Sequence, residues 1–129
     1  MREGLNPETA VVAGSFFHLG FAVFHLFFGR VFSWREDLAS LTAVNRAVMQ
    51  VLNLCLTFVF LVFAYVSAFQ TAEITSTSLG RALLALIALF WLLRTIEQVV
   101  FFTRSRLSAG FCVIFLLGAL LYGYAWAAA

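Results

Sequence analysis

Four apolar stretches follow one another along this chain, each reaching the ~20 residues a helix needs to cross the hydrocarbon core of a bilayer. They occupy residues 9–32, 46–69, 79–102 and 107–126. A bilayer interior offers the backbone no hydrogen-bond partner, so each stretch must satisfy its own peptide groups as a helix. Composition argues the same way. Of 129 residues, 64% are hydrophobic and 11% charged, with a mean hydropathy of +1.01, whereas a soluble domain carries about 25% charged residues. Short connections make consecutive helices antiparallel neighbours. The expected fold is therefore an all-α membrane protein: one transmembrane domain, residues 1–129, forming an antiparallel four-helix bundle.

The helix starts carry local signals. Asn6-Pro7-Glu8 supplies a cap, a proline at the first helical position and an acid in the first turn. Ser33-Trp34-Arg35-Glu36 has the spacing of a capping box. It predicts a short interfacial helix over 34–41, between the first and second spans, with Trp34, Leu38 and Leu41 inward. Residues 71–78 read as a polar Thr/Ser-rich loop and 103–106 as a tight turn. The apolar run near the N-terminus lacks a basic leader and has Glu3 and Glu8 close by, so it does not read as a cleavable signal.

Arginine placement predicts orientation. Arg30, Arg35, Arg46, Arg104 and Arg106 share one side, and only Arg2 and Arg81 fall on the other. The positive-inside rule then puts loops 33–45 and 103–106 in the cytoplasm and both termini outside. In a bacterium the membrane would be the inner one and the outside the periplasm. The net charge of +2 is too small and dispersed for nucleic acid. Cys55 and Cys112 lie in apolar segments, with no spacing that suggests zinc or a disulfide framework, and read as small buried hydrophobes.

Polar side chains inside spans are costly, so their positions inform most. The first helix carries His18 and His25, seven apart and on one face. Arg46, Gln50, Asn53 and Thr57 form a stripe on the second, and Arg94, Glu97 and Gln98 share a face of the third. The fourth has only Gly110, Gly118 and Gly123 among apolar residues. All three stripes fall in the predicted cytoplasmic half, so His25, Arg46, Gln50, Asn53, Arg94, Glu97 and Gln98 form a candidate ligand-binding cluster. Arg46 and Arg94 would hold a carboxylate or phosphate headgroup, and Glu97 or His25 would carry a proton. The structural alternative is that Arg94 pairs with Glu97 and the amides bond between helices to fix register.

No metal or cofactor is expected. His18 and His25 stand ~10 Å apart along their helix and cannot share one iron. A site of His25 and Glu97 falls short of the three or four ligands zinc takes. Sixteen Phe read as lipid contact and packing, and Tyr122, Tyr124 and Trp126 as an outer interfacial belt that Trp34 matches on the cytoplasmic side.

The stretches 32–38, 45–50 and 90–94 resemble a family of small bacterial four-helix membrane proteins, over nearly the whole chain. That resemblance implies a bacterial origin and carries no activity. Asn45-Arg46 and Asn53 are more weakly similar to the second helix of membrane glutathione transferases and eicosanoid enzymes, but Gln50 stands where their glutamate is expected. Small multidrug exporters match in length, yet the first helix here lacks their carboxylate. Three functions are left. One is a module that binds a lipid or amphipathic small molecule, or docks as a homo-oligomer or onto a larger membrane complex through the glycine-bearing fourth helix. The second is an enzyme acting on a lipophilic substrate at the cytoplasmic interface, and the third an oligomeric transporter or channel. The first fits the polar cluster best.

Overall fold

The computed structural model describes residues 4–129. Arg2 and Glu3, which enter the orientation and leader arguments, lie outside the described residues. The chain is almost wholly helical: α1 Pro7–Leu26, α2 Phe28–Val31, α3 Trp34–Asp37 with a 3-10 turn Leu38–Ser40, α4 Ala43–Phe69, α5 Thr71–Ser76, α6 Ser78–Phe101 and α7 Arg106–Ala128. Four of these, α1, α4, α6 and α7, are long and apolar enough to cross a membrane. Their outward positions are apolar too, including Phe16, Phe58, Leu79, Phe101 and Leu107. In water that surface would drive aggregation, and in lipid it is the surface required.

The spans at 46–69, 79–102 and 107–126 match α4, α6 and α7 to within three residues at each end. Residues 9–32 do not form one helix. The chain breaks at Phe27, whose amide bonds to the carbonyl of Phe24 at 3.0 Å, a tightened turn, before α2 resumes. The capping box at Ser33 is also corrected. Ser33 adopts a left-handed conformation, φ 52° and ψ 43°, and its side chain makes no capping bond. Asn6 does cap α1, accepting from the Glu8 amide at 3.0 Å.

The described residues divide into two compact units, Ser15–Tyr65 and residues 4–14 together with Val66–Ala129. Within the first unit, α1 and α4 meet through aromatic packing. His18 lies against Phe60 and Phe63, and Phe21 and His25 against Phe60. Partners on α4 rise in number as those on α1 fall, the signature of an antiparallel pair. Beyond the break, Leu38 of the 3-10 turn is buried and Trp34 sits edge-on to Phe28.

In the second unit, α6 and α7 form a tight antiparallel hairpin. Trp91 stacks on Phe115 at 5.7 Å, Thr95 faces Cys112 and Gln98 faces Ser108, stepping toward the connection at 102–105. Gly123 faces Ala88, and a Cβ there would meet it at an ordinary contact distance of 4.0 Å, so part of the glycine face expected to dock a partner is turned toward α6. Gly118 is buried as well, while Gly110 is open. Tyr122 is fully buried rather than part of an interfacial belt. It bonds to Ser67 Oγ at 2.7 Å, and its ring covers Gly14, where a Cβ would collide with it. Tyr124 reaches the Leu5 carbonyl instead.

Residues 71–78 are not a loop. Thr71, Thr75, Ser76 and Thr77 each donate to the carbonyl four residues back, and the helical turn α5 results. Ile74 is buried beneath it, pressed so closely on Gly80 that no larger residue fits there without a shift.

Candidate functional site

The sequence-derived cluster draws on both units, and each part is built from its own neighbours. In the first, Asn53 grips His25. Its Nδ2 donates to the His25 carbonyl at 2.9 Å, and its Oδ1 lies 3.2 Å from Nδ1. Because Nδ2 must donate to a carbonyl, Oδ1 faces the ring, and Nδ1 therefore carries the proton. The ring stacks on Phe28 at 4.0 Å and is buried. Thr57 extends the stripe by donating to the Asn53 carbonyl at 2.8 Å.

Arg46 belongs to a different arrangement. Its Nε donates to the Leu38 carbonyl at 3.0 Å and Nη2 to the Leu41 carbonyl at 3.2 Å. Both carbonyls lie at the 3-10 turn, so this guanidinium satisfies a chain end that would otherwise face lipid or water. Gln50, expected beside it, is exposed on α4. The cysteines also differ from expectation, since Cys55 is exposed and Cys112 half-buried.

In the second unit, Arg94 and Gln98 come together one turn apart on α6. Arg94 Nη2 donates to Gln98 Oε1 at 3.0 Å, and Gln98 Nε2 donates across the hairpin to Ser108 Oγ at 3.0 Å. Gln98 is buried, and its amide orientation is fixed from both ends, by a cation at its oxygen and a hydroxyl at its nitrogen. The Arg94 guanidinium lies over the Phe115 ring at 4.5 Å and Phe102 at 5.3 Å. Contacts of this kind are worth ~0.5–2 kcal/mol and partly offset the cost of burying a charge. Yet Nη1 is buried without a hydrogen-bond partner. The expected pairing with Glu97 is replaced by this bond to Gln98, and Glu97 itself is half-buried.

Beside the bridge lies a cleft of about 370 Å³ lined by Gln98, Val99, Phe102, Arg104, Ser108 and Cys112, with Ser105 and Ala109 completing it. Its lining is mainly apolar. Val99, Phe102, Ala109 and Cys112 are apolar, while Arg104, Ser105 and Ser108 gather where α6 ends and α7 begins. Ser105 is committed to capping α7, accepting from the Ser108 amide at 3.0 Å. Ser108 accepts from Gln98, and its own hydroxyl proton has no acceptor among the described residues.

Sequence reading missed Ser108, Phe115 and Cys112. A turn at 103–106 brings the end of the third span beside the start of the fourth, but Gln98 lies five residues before it and Ser108 two after, so equal spacing does not pair them. Phe115 carried no mark to set it apart from other apolar positions on the fourth span, and Cys112 read only as a small buried hydrophobe. No family model, curated protein or solved structure matches this chain.

Proposed function

We propose that this chain is a multi-pass membrane protein that binds an amphipathic small molecule in the α6–α7 hairpin. The observation that carries the reading is the Arg94–Gln98–Ser108 bridge beside a mainly apolar cleft that Arg104 and Ser108 also line. Register alone would be served by an uncharged contact, whereas a guanidinium with a buried free Nη1 adds cost that a purely structural role does not need. A cleft of about 370 Å³ falls at the small end of ligand sites, which run ~300–1,000 Å³.

In this proposal the four long helices form an antiparallel bundle in a bacterial inner membrane. Both termini lie outside, and the connections at 33–45 and 103–106 lie in the cytoplasm, supported by the arginines gathered there. The cleft then opens at the level of the cytoplasmic headgroups. The test is native mass spectrometry on protein extracted in mild detergent from its own membrane. A stoichiometric added mass of a few hundred daltons is expected. A bare chain, or one carrying only another polypeptide, would sink the proposal.

A further inference from the structure

The cleft has a polarity that selects a headgroup. Among the described residues Arg104 is the one charged residue in its lining, and no acidic residue shares it. The Ser108 hydroxyl accepts from Gln98 and so has its proton left to give. Gln98 is in turn polarised by Arg94, whose guanidinium donates to that amide and lies over the Phe115 and Phe102 rings. The Ser108 hydroxyl and the Arg104 guanidinium thus bring a donor and a positive charge to this lining. Val99, Phe102, Ala109 and Cys112 add apolar surface to the same lining, along which a hydrocarbon chain can run.

Resting on the binding role proposed above, we propose that the ligand is a single-chain anionic amphiphile. Its carboxylate or phosphate monoester accepts from the Ser108 hydroxyl and the Arg104 guanidinium, and its alkyl chain lies on the Val99–Phe102–Cys112 wall. A neutral headgroup lacks the negative charge that Arg104 pairs with, and a cationic one is repelled. Gln98 is a positioning residue, since it turns the Ser108 proton outward by occupying the hydroxyl's lone pair.

The test uses the full-length protein in a non-ionic detergent, titrated in native mass spectrometry with dodecanoate, dodecyl phosphate and dodecanol. These share a chain length and differ in the headgroup. Both anions should bind about tenfold or more tightly than dodecanol, because hydrogen bonds to a charged group are the strong ones. Arg104→Gln should bring the anions down to the level of dodecanol while leaving dodecanol unchanged. Ser108→Ala should weaken the anions several-fold, and Ser108→Thr should restore them. Prior alkylation of Cys112 with N-ethylmaleimide in a Cys55→Ser background should block all three, placing the ligand in this cleft. Melting temperatures of the variants separate lost binding from lost folding, and Arg104 is exposed on a connection where substitution leaves packing alone. Whichever anion binds more tightly identifies a carboxylate or a phosphate source. Equal affinity for dodecanol would overturn the anionic headgroup and leave amphiphile binding standing. If none of the three bound, both proposals would fall.

Discussion

Asn53 holds His25 at two points, donating to its carbonyl at 2.9 Å and facing its Nδ1 at 3.2 Å. The carbonyl contact matters as much as the ring contact. His25 lies just before the break at Phe27, where carbonyls of the last turn of α1 lose their regular acceptor role. One amide thus fixes both a helix end and a tautomer. Replacing Asn53 with Ala and His25 with Ala should give a non-additive pair, with a coupling on the order of 1 kcal/mol in a double-mutant cycle of detergent unfolding. Strict additivity would mean that the two side chains are neighbours without being partners.

Arg94→Ala should cost more stability than Arg106→Ala. The first removes the guanidinium from the Phe115 and Phe102 rings and strands the Gln98 oxygen, a loss of about 1–3 kcal/mol. Arg106 is exposed at the first position of α7, so its removal should fall within about 0.5 kcal/mol of neutral. Thermal unfolding of the two variants in one detergent decides it. Equal melting temperatures would remove Arg94 from any special role.

Tyr122 and Ser67 share one buried hydrogen bond of 2.7 Å. Tyr122→Phe should lower stability by about 1 kcal/mol, and so should Ser67→Ala. Combining them should cost less than the sum of the two, because each single change already breaks the bond they share. A double variant that loses twice as much would show that the hydroxyls act separately. Gly14→Ala offers a sharper probe of the same contact, since the added methyl meets the Tyr122 ring.

Ser33 sits in the left-handed region at φ 52°, where an L side chain costs ~1–2 kcal/mol and glycine is tolerated without that strain. Ser33→Gly should therefore raise the melting temperature slightly, and Ser33→Val should lower it by more. Neither should change ligand occupancy. A loss on Ser33→Gly would indicate that the serine hydroxyl has work of its own there.

The long helices were legible because hydropathy and backbone satisfaction in lipid leave few solutions, and α6 and α7 match their expected ends to within two residues. The site was legible by residue type and less so by partner. Gln98 was correctly picked as a polar group within a span, but nothing in periodicity distinguishes its bond to Arg94 from a pairing of Arg94 with Glu97. Both lie within reach on one helix face. The break at Phe27 was hidden, since it has no proline and its glycine, Gly29, comes two residues later. Residues 71–78 misled for a definable reason. Threonine and serine usually compete with helical bonding, but here each hydroxyl turns back to its own helix.

That last arrangement has a practical consequence for anyone mapping the topology of this protein. With Thr71, Thr75, Ser76 and Thr77 all donating to backbone carbonyls and Ile74 buried, the connection between α4 and α6 is held as a helical turn, so a protease that needs an extended segment finds none in it although Ala72, Glu73 and Ser76 are exposed. An epitope inserted there would destroy the turn it was meant to report on. The sidedness of this chain is better read by small membrane-impermeant thiol reagents on single introduced cysteines, which demand one atom of access rather than a loop.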